Sequence, residues 1–255
     1  PLTSSFFAFK NNGPSEIRTL RPTVAMTTST DGTEIAVEHR GPKTGNHAMR
    51  LVCTTGWANE RSVWNAIADD LSADHAVSTW DLRGHGGSGT PPPGSYSREH
   101  ALDDLSTVLD EAGRPAVLVG HSLGGYLSLA HTLSHPDDVA ALVLIATGPG
   151  FRKPEAREEW NASVMAAAEK LDLAPGVAEL SLHVDAQVID NLAEITCPVL
   201  VLLGERDRRF AASANLFERD LDVRATVVVP DQGHMVHVKA AAECVAAIRE
   251  FTAGL

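Results

Sequence analysis

Six residues, Gly120-His121-Ser122-Leu123-Gly124-Gly125, constrain this chain more than any other stretch. They follow the apolar run Pro115–Val119, which reads as a buried strand, and lead into Leu123–Leu133, which reads as a helix. A serine at the tip of a G-x-S-x-G turn between strand and helix is a nucleophile elbow. The turn holds the serine in a strained backbone conformation, at a cost of ~1–3 kcal/mol. The residues two positions away must then be small, and here both are glycine, Gly120 and Gly124. The alternative reading of the hexapeptide alone is a glycine-rich strand–helix turn with an incidental serine. Its meaning depends on what other loops bring to the same edge of a sheet.

The rest of the chain supplies that sheet. Thr23–Thr28 and Thr33–His39 read as strands joined by the hairpin turn Asp31-Gly32. Ala48–Thr54 is a third strand. Strand and helix then alternate: helix Arg61–Leu71, strand Ala76–Trp80, helix Ser97–Ala112, the elbow strand and helix, and strand Val139–Ala146. The rhythm breaks over 150–194, which carries Pro154, Pro175 and two helical stretches. It resumes with strand Pro198–Leu203, helix Ala211–Leu221, strand Ala225–Pro230 and a last helix over Val238–Phe251. Alternation of this kind implies an α/β fold, a mostly parallel sheet with helices on both faces. The opening hairpin implies an antiparallel edge. The expected organisation is an arm over 1–22, a core formed by 23–149 and 195–255, and an insertion over 150–194. The insertion is expected above the C-terminal edge of the sheet, where such folds bind ligands.

Bulk properties exclude several classes. A net charge of −12 and an isoelectric point near 5.3 argue against nucleic acid and against an anionic membrane surface. Cys53, Cys197 and Cys244 are far apart and lack a C-x-x-C pattern, so they read as buried thiols rather than as a zinc or redox site. No apolar run approaches the ~18 residues of a membrane helix. The first residues have no basic region followed by a long apolar one, so no signal peptide is expected and the expected location is cytoplasmic. Gly84-x-Gly86-x-x-Gly89 has the glycine spacing of a dinucleotide loop, but Thr90–Gly94 follows instead of a helix. The expectation is therefore no cofactor, no metal and a small-molecule partner, with the oligomeric state left open. His131 and His135, four apart, could face a metal together, but no third ligand accompanies them in the sequence, and a packing or surface role is expected.

A serine hydroxyl needs a base. The loop after the last strand, Pro230-Asp231-Gln232-Gly233-His234, offers His234, with His237 as the rival three residues on. The base needs a carboxylate to fix its tautomer. Gly204-Glu205-Arg206-Asp207-Arg208, straight after a buried strand, offers Asp207, with Glu205 as the rival. The order Ser122, Asp207, His234 is that of an α/β-hydrolase.

Over roughly 23–252 the chain resembles the α/β-hydrolase family, and within it small serine carboxylesterases with a short lid. Thr55-Gly56-Trp57 stands where the family has His-Gly-x, Asp81–Gly89 resembles its D-x-R/P-G-x-G-x-S loop, and Gly204-x-x-Asp207 and Gly233-His234 match its acid and base turns. The resemblance implies an eight-stranded sheet, a helical lid at 150–194 and an oxyanion hole formed by the main-chain N–H groups of Trp57 and Leu123. Thr55 is a departure, since the histidine usual there buttresses the loop. Asp81 and Arg83 are expected to tie loops together, and His85 is a lesser candidate for the base.

Family members that open epoxides or carbon–halogen bonds use an aspartate where Ser122 stands, and hydroxynitrile lyases place a lysine where Met235 stands. The expected activity is hydrolysis of a small to medium carboxylic ester or lactone through an acyl-enzyme. Carbon–carbon bond hydrolysis, cofactor-independent oxygenation and ligand reception with little turnover are the alternatives. The expected pocket comprises Trp57, His121, Phe151, Trp160, Val164, Met165 and Met235.

Overall fold

The computed structural model describes residues 24–42 and 49–255; the expected arm over 1–22 lies outside them. Eight strands form one sheet: β1 (Val24–Thr28), β2 (Glu34–Arg40), β3 (Arg50–Thr54), β4 (Ala76–Trp80), β5 (Ala116–His121), β6 (Val139–Ile145), β7 (Val199–Gly204) and β8 (Val223–Val229). Their order is β1-β2-β4-β3-β5-β6-β7-β8. β2 runs antiparallel to both β1 and β4, and every other pairing is parallel. Asp31-Gly32 makes the expected hairpin, with Gly32 at φ 88° and the Asp31 carboxylate accepting from Thr33 N–H at 2.9 Å.

The helices are α1 (Asn65–Leu71), α2 (Arg98–Ala112), α3 (Leu123–Ser134), α4 (Pro154–Lys170), α5 (Gln187–Asp190), α6 (Ala211–Asp220), α7 (Val236–Lys239) and α8 (Ala241–Ala253). Strand side chains alternate between two faces, and each face has its own core. On one, Val52, Leu118, Leu142 and Val201 meet Leu105 and Leu109 of α2, Leu127 of α3 and Phe217 of α6. On the other, Cys53, Val119, Val143 and Leu202 meet Ile67 and Leu71 of α1 and Cys244 and Ile248 of α8. The three cysteines are free.

Two helices differ from their sequence reading. Arg61–Trp64 is a 3-10 turn before α1. The last helix starts earlier, at Val236, and is broken at Ala240, whose extended φ of −134° separates α7 from α8. No strand occurs in 150–194, which holds α4, α5 and two 3-10 turns, Val177–Ser181 and Leu192–Glu194. Among the described residues no helix is long and apolar enough to cross a membrane.

Candidate active site

β5 delivers Ser122 to the C-terminal edge of the sheet, directly before α3. Its backbone sits at φ 52°, ψ −115°, a region a side chain rarely enters. The surroundings leave no slack. A Cβ on Gly120 would lie 2.5 Å from the backbone of Gly124 and Gly125, and one on Gly124 would lie 2.2 Å from the Thr54 carbonyl oxygen. The Ser122 N–H donates to the Ile145 carbonyl at 3.0 Å, and its own carbonyl accepts from Thr147 Oγ1 at 2.6 Å. The strained residue is thus clamped on both sides.

The turns after β7 and β8 meet beside it. Asp207, nearly buried, places Oδ2 2.8 Å from Nδ1 of His234. A carboxylate only accepts, so Nδ1 carries the proton and Nε2 is left as the basic nitrogen. Phe210 stacks on the His234 ring, with centroids 5.3 Å apart. A Cβ on Gly204 would lie 2.4 Å from the Gln232 carbonyl oxygen, so the turns that carry Asp207 and His234 touch through bare backbone. No Ser122–His234 hydrogen bond is formed in this conformation. Such bonds are often long before substrate closes the site.

The two rivals are occupied elsewhere. Glu205 accepts from Asp231 N–H at 3.0 Å and braces the turn that carries His234. His237 is fully buried between Trp64 and His121, with neither ring nitrogen hydrogen-bonded, and burial pushes it down to about 3. His121 packs between His237 and His234, with centroids 4.0 and 4.7 Å away. Its Nε2–H donates to the His234 carbonyl at 3.0 Å. Burial, then the neighbouring histidines, hold His121 well below its usual range, so it stays neutral.

The loop after β3 forms the facing wall. Trp57 Nε1–H donates to the Val177 carbonyl at 3.0 Å, and Ala58 N–H donates to His85 Nε2 at 3.0 Å. With Nε2 accepting, His85 donates from Nδ1 to the Arg83 carbonyl at 2.9 Å. Both its nitrogens are spent on holding loops. Thr55 Oγ1 is buried without a partner, while the ring of His121 lies against Gly56: a Cβ there would lie 2.8 Å from its Nδ1. Beneath, Asp81 accepts from the main-chain N–H groups of Arg61 at 2.5 Å and Gly87 at 2.9 Å and pairs with the Arg61 guanidinium. Buried Arg83 pairs with Asp104 through two bonds of 2.6 and 2.7 Å. Among the described residues, the N–H groups of Trp57 and Leu123 have no acceptor.

A cavity of about 360 Å³ opens beside Ser122 and Leu123. Of the residues expected to form it, Phe151 and Trp160 line it; Trp57, His121, Val164, Met165 and Met235 are not in its lining. His121 is packed beneath the site, Val164 is buried in packing, and Met165 is 49% exposed. The rest of the wall comes from Tyr126, Thr147, His183, Arg209, Phe210 and Ser213, among others. One signal for the α4 face was available: Ala156, Glu159, Trp160 and Ser163 are spaced as one helix stripe and all line the cavity. The stripe is half polar, so a search for apolar residues passes over it.

Away from the site, His131 and His135 stack at 4.8 Å and Asp138 joins them, a third group that the pair's own spacing does not reveal. Asp138 already pairs with Arg114 and lies 3.3 Å from His131 Nε2, so the trio reads as an ion-paired knot.

The comparisons with known proteins agree with this architecture. The family model of the alpha/beta hydrolase fold matches residues 50–189. A putative 2-succinyl-6-hydroxy-2,4-cyclohexadiene-1-carboxylate synthase of Bacillus subtilis is 27% identical over 85% of this chain and 93% of its own length. A pimeloyl-[acyl-carrier protein] methyl ester esterase of Citrobacter koseri is 38% identical, over 46% of this chain and 42% of its own. The solved structure of a thermophilic esterase from Thermogutta terrifontis is 27% identical, with a TM-score of 0.74 over 91% of this chain and 98% of that one. With the family model covering more than half of its length, this chain belongs to the alpha/beta hydrolase fold family.

Proposed function

We propose that the protein is a serine hydrolase that cleaves a small to medium carboxylic ester or lactone. The observation that carries this reading is the 2.8 Å Asp207–His234 bond on turns that converge beside a strained, cavity-lining Ser122. Ser122 Oγ attacks the carbonyl carbon while Nε2 of His234 takes its proton. Asp207 holds Nδ1–H and stabilises the imidazolium. The carbonyl oxygen becomes an oxyanion between the N–H groups of Trp57 and Leu123, each worth roughly 10²–10³ in rate if aligned. The imidazolium then protonates the departing alkoxide, leaving an acyl-enzyme. Water, deprotonated by His234, attacks that ester, and collapse frees the acid and restores Ser122. Segment 150–194 acts as the lid over the cavity. The cavity volume is at the low end of the ~300–1,000 Å³ of small-molecule sites, which suits a compact substrate. The esterase names among the similar proteins favour the same reading.

The test is fluorophosphonate labelling with peptide mapping, alongside a panel of 4-nitrophenyl esters on wild type and Ser122→Ala. The label is expected on Ser122, with turnover lost by a factor of at least about 10³ in the variant. Turnover that survives the substitution would overturn the mechanism. Oxygen consumption, or carbon–carbon cleavage without ester turnover, would reassign the reaction.

A further inference from the structure

We propose that His183 is a substrate-reading donor: its Nε2–H faces the cavity and selects esters whose enclosed part carries a second oxygen acceptor, such as an ether, ketone or hydroxyl oxygen. The proposal rests on the ester reading above and adds a substrate class to it.

His183 is held unusually firmly for a residue outside the sheet. Its main-chain N–H donates to Asn161 Oδ1 at 2.8 Å, and its carbonyl accepts from Asn161 Nδ2 at 3.0 Å. Its ring is boxed edge-on by Tyr126, Phe151 and Trp160, with centroids 4.6, 5.2 and 5.7 Å away. A phenyl ring would fill such a box with no polar atom to satisfy. The imidazole brings two, and neither has a protein partner among the described residues. Nδ1 is buried against Gly150, where a Cβ would lie 3.1 Å from it. Nε2 is not among the buried orphan atoms, and the residue lines the cavity.

The proton therefore belongs on Nε2. A proton on Nδ1 would be buried beside Gly150 with no acceptor, whereas an unprotonated Nδ1 there forgoes less. Burial, and then the charges of Arg98 and Arg157, push the ring down to about 4 against the opposing pull of Asp185, so it is a neutral donor near neutral pH. Buried polar groups in native structures are normally hydrogen-bonded. Nε2–H is open to the cavity, where water can satisfy it; a substrate that fills the space buries it, and an oxygen of that substrate is the acceptor that then replaces the water.

The test compares straight-chain 4-nitrophenyl acyl esters with analogues in which a single methylene is replaced by an ether oxygen at successive positions. Ratios of kcat/KM are taken within each protein, for wild type, His183→Leu and His183→Gln, so that a loss of overall activity cancels. One oxygen position is expected to be favoured about tenfold in wild type relative to His183→Leu, and His183→Gln, which keeps a donor, should restore part of it. The same carboxylic acids are titrated calorimetrically into Ser122→Ala protein with and without His183→Leu. A His183-dependent preference in acid binding without turnover of any ester would uphold His183 as the oxygen-reading donor but sink the ester reading, and with it the ester as the selected substrate. Turnover with identical ratios in wild type and His183→Leu would overturn this proposal and leave the ester reading standing. Neither turnover nor acid binding would overturn both.

Discussion

The floor of the site and the segment that covers it are built by different means. The floor is backbone against backbone. Gly124 and Gly204 have no room for a single added carbon, and Asp81, Arg83 and His85 spend nearly every polar atom on the loops around them. The covering segment is held by side chains: Val177, Leu180, Val188, Ile189 and Leu192 root it in the core, while α4 lies over them. Only Val164 of the 17 residues of α4 is buried. Arg98 to Asp185 at 2.9 Å and the Trp57–Val177 bond add polar anchorage, and Trp160 Nε1–H to the Ser181 carbonyl at 2.8 Å ties α4 to the rest of the segment. Under the proposed function the reacting groups must stay within fractions of an ångström of one geometry, which packing that cannot drift provides. A selecting wall only has to present the right surface, and its residues can change without moving the floor.

The largest effect should come from the floor. Asp207→Asn keeps the shape but presents an N–H or amide oxygen to Nδ1, which unsettles the His234 tautomer. A fall in kcat of about 10³–10⁴ is expected, with KM nearly unchanged. Glu205→Gln still accepts from Asp231 N–H and should stay within a few-fold of wild type. Steady-state kinetics on the two variants decide it, and the reverse ranking would move the acid to Glu205.

This division also explains what could be read from the chain alone. Ser122 and Asp207 follow the buried strands β5 and β7, and His234 the edge strand β8, each within a handful of residues, so their shared edge is legible as local pattern. The cavity wall is not local. Met165 and Trp160 are both apolar and five residues apart on α4, yet one faces solvent and the other the cavity, because the roll of the helix is set by contacts such as Trp160 with Ser181. Phe210, Tyr126 and His183 come from three distant stretches that only the fold brings together. The role of His121 was hidden for another reason: its partner is a main-chain carbonyl, which carries no side-chain signature.

That bond gives the next prediction. His121→Phe keeps an aromatic ring between His234 and His237 but deletes the 3.0 Å donor that fixes the His234 carbonyl. A drop in kcat of roughly 10–100-fold is expected from a base displaced by fractions of an ångström. His121→Gln, which can donate, should recover part of it. A thermal unfolding midpoint that falls together with kcat in both variants would mean packing, not positioning.

A smaller effect separates floor from cover by pH. His237 is pushed down to about 3 by burial and by the neighbouring His234, so it stays neutral in the fold while its unfolded counterpart protonates below ~6.5. The unfolded state then binds more protons, and stability falls as pH drops from about 6.5 toward 3. At pH 5 the single group accounts for on the order of 2 kcal/mol. His237→Leu, packed on Trp64, should flatten that part of the curve in denaturant titrations at pH 7 and pH 5. An unchanged pH slope would show that the ring is already relieved of its burial cost.

The smallest effect tests the orientation of α4 itself. Met165 points to solvent, so Met165→Ala should alter stability by less than about 0.5 kcal/mol and kcat/KM by less than about twofold. Val164→Ala next to it removes two buried carbons and should cost about 1–2 kcal/mol, again with little change in substrate choice, because the side chain packs away from the cavity. Trp160→Ala, one turn earlier, should instead change the ranking of acyl chains. If Met165→Ala reordered the ester panel and Trp160→Ala did not, the helix would be rolled by roughly half a turn, and the His183 box would have to be redrawn with it.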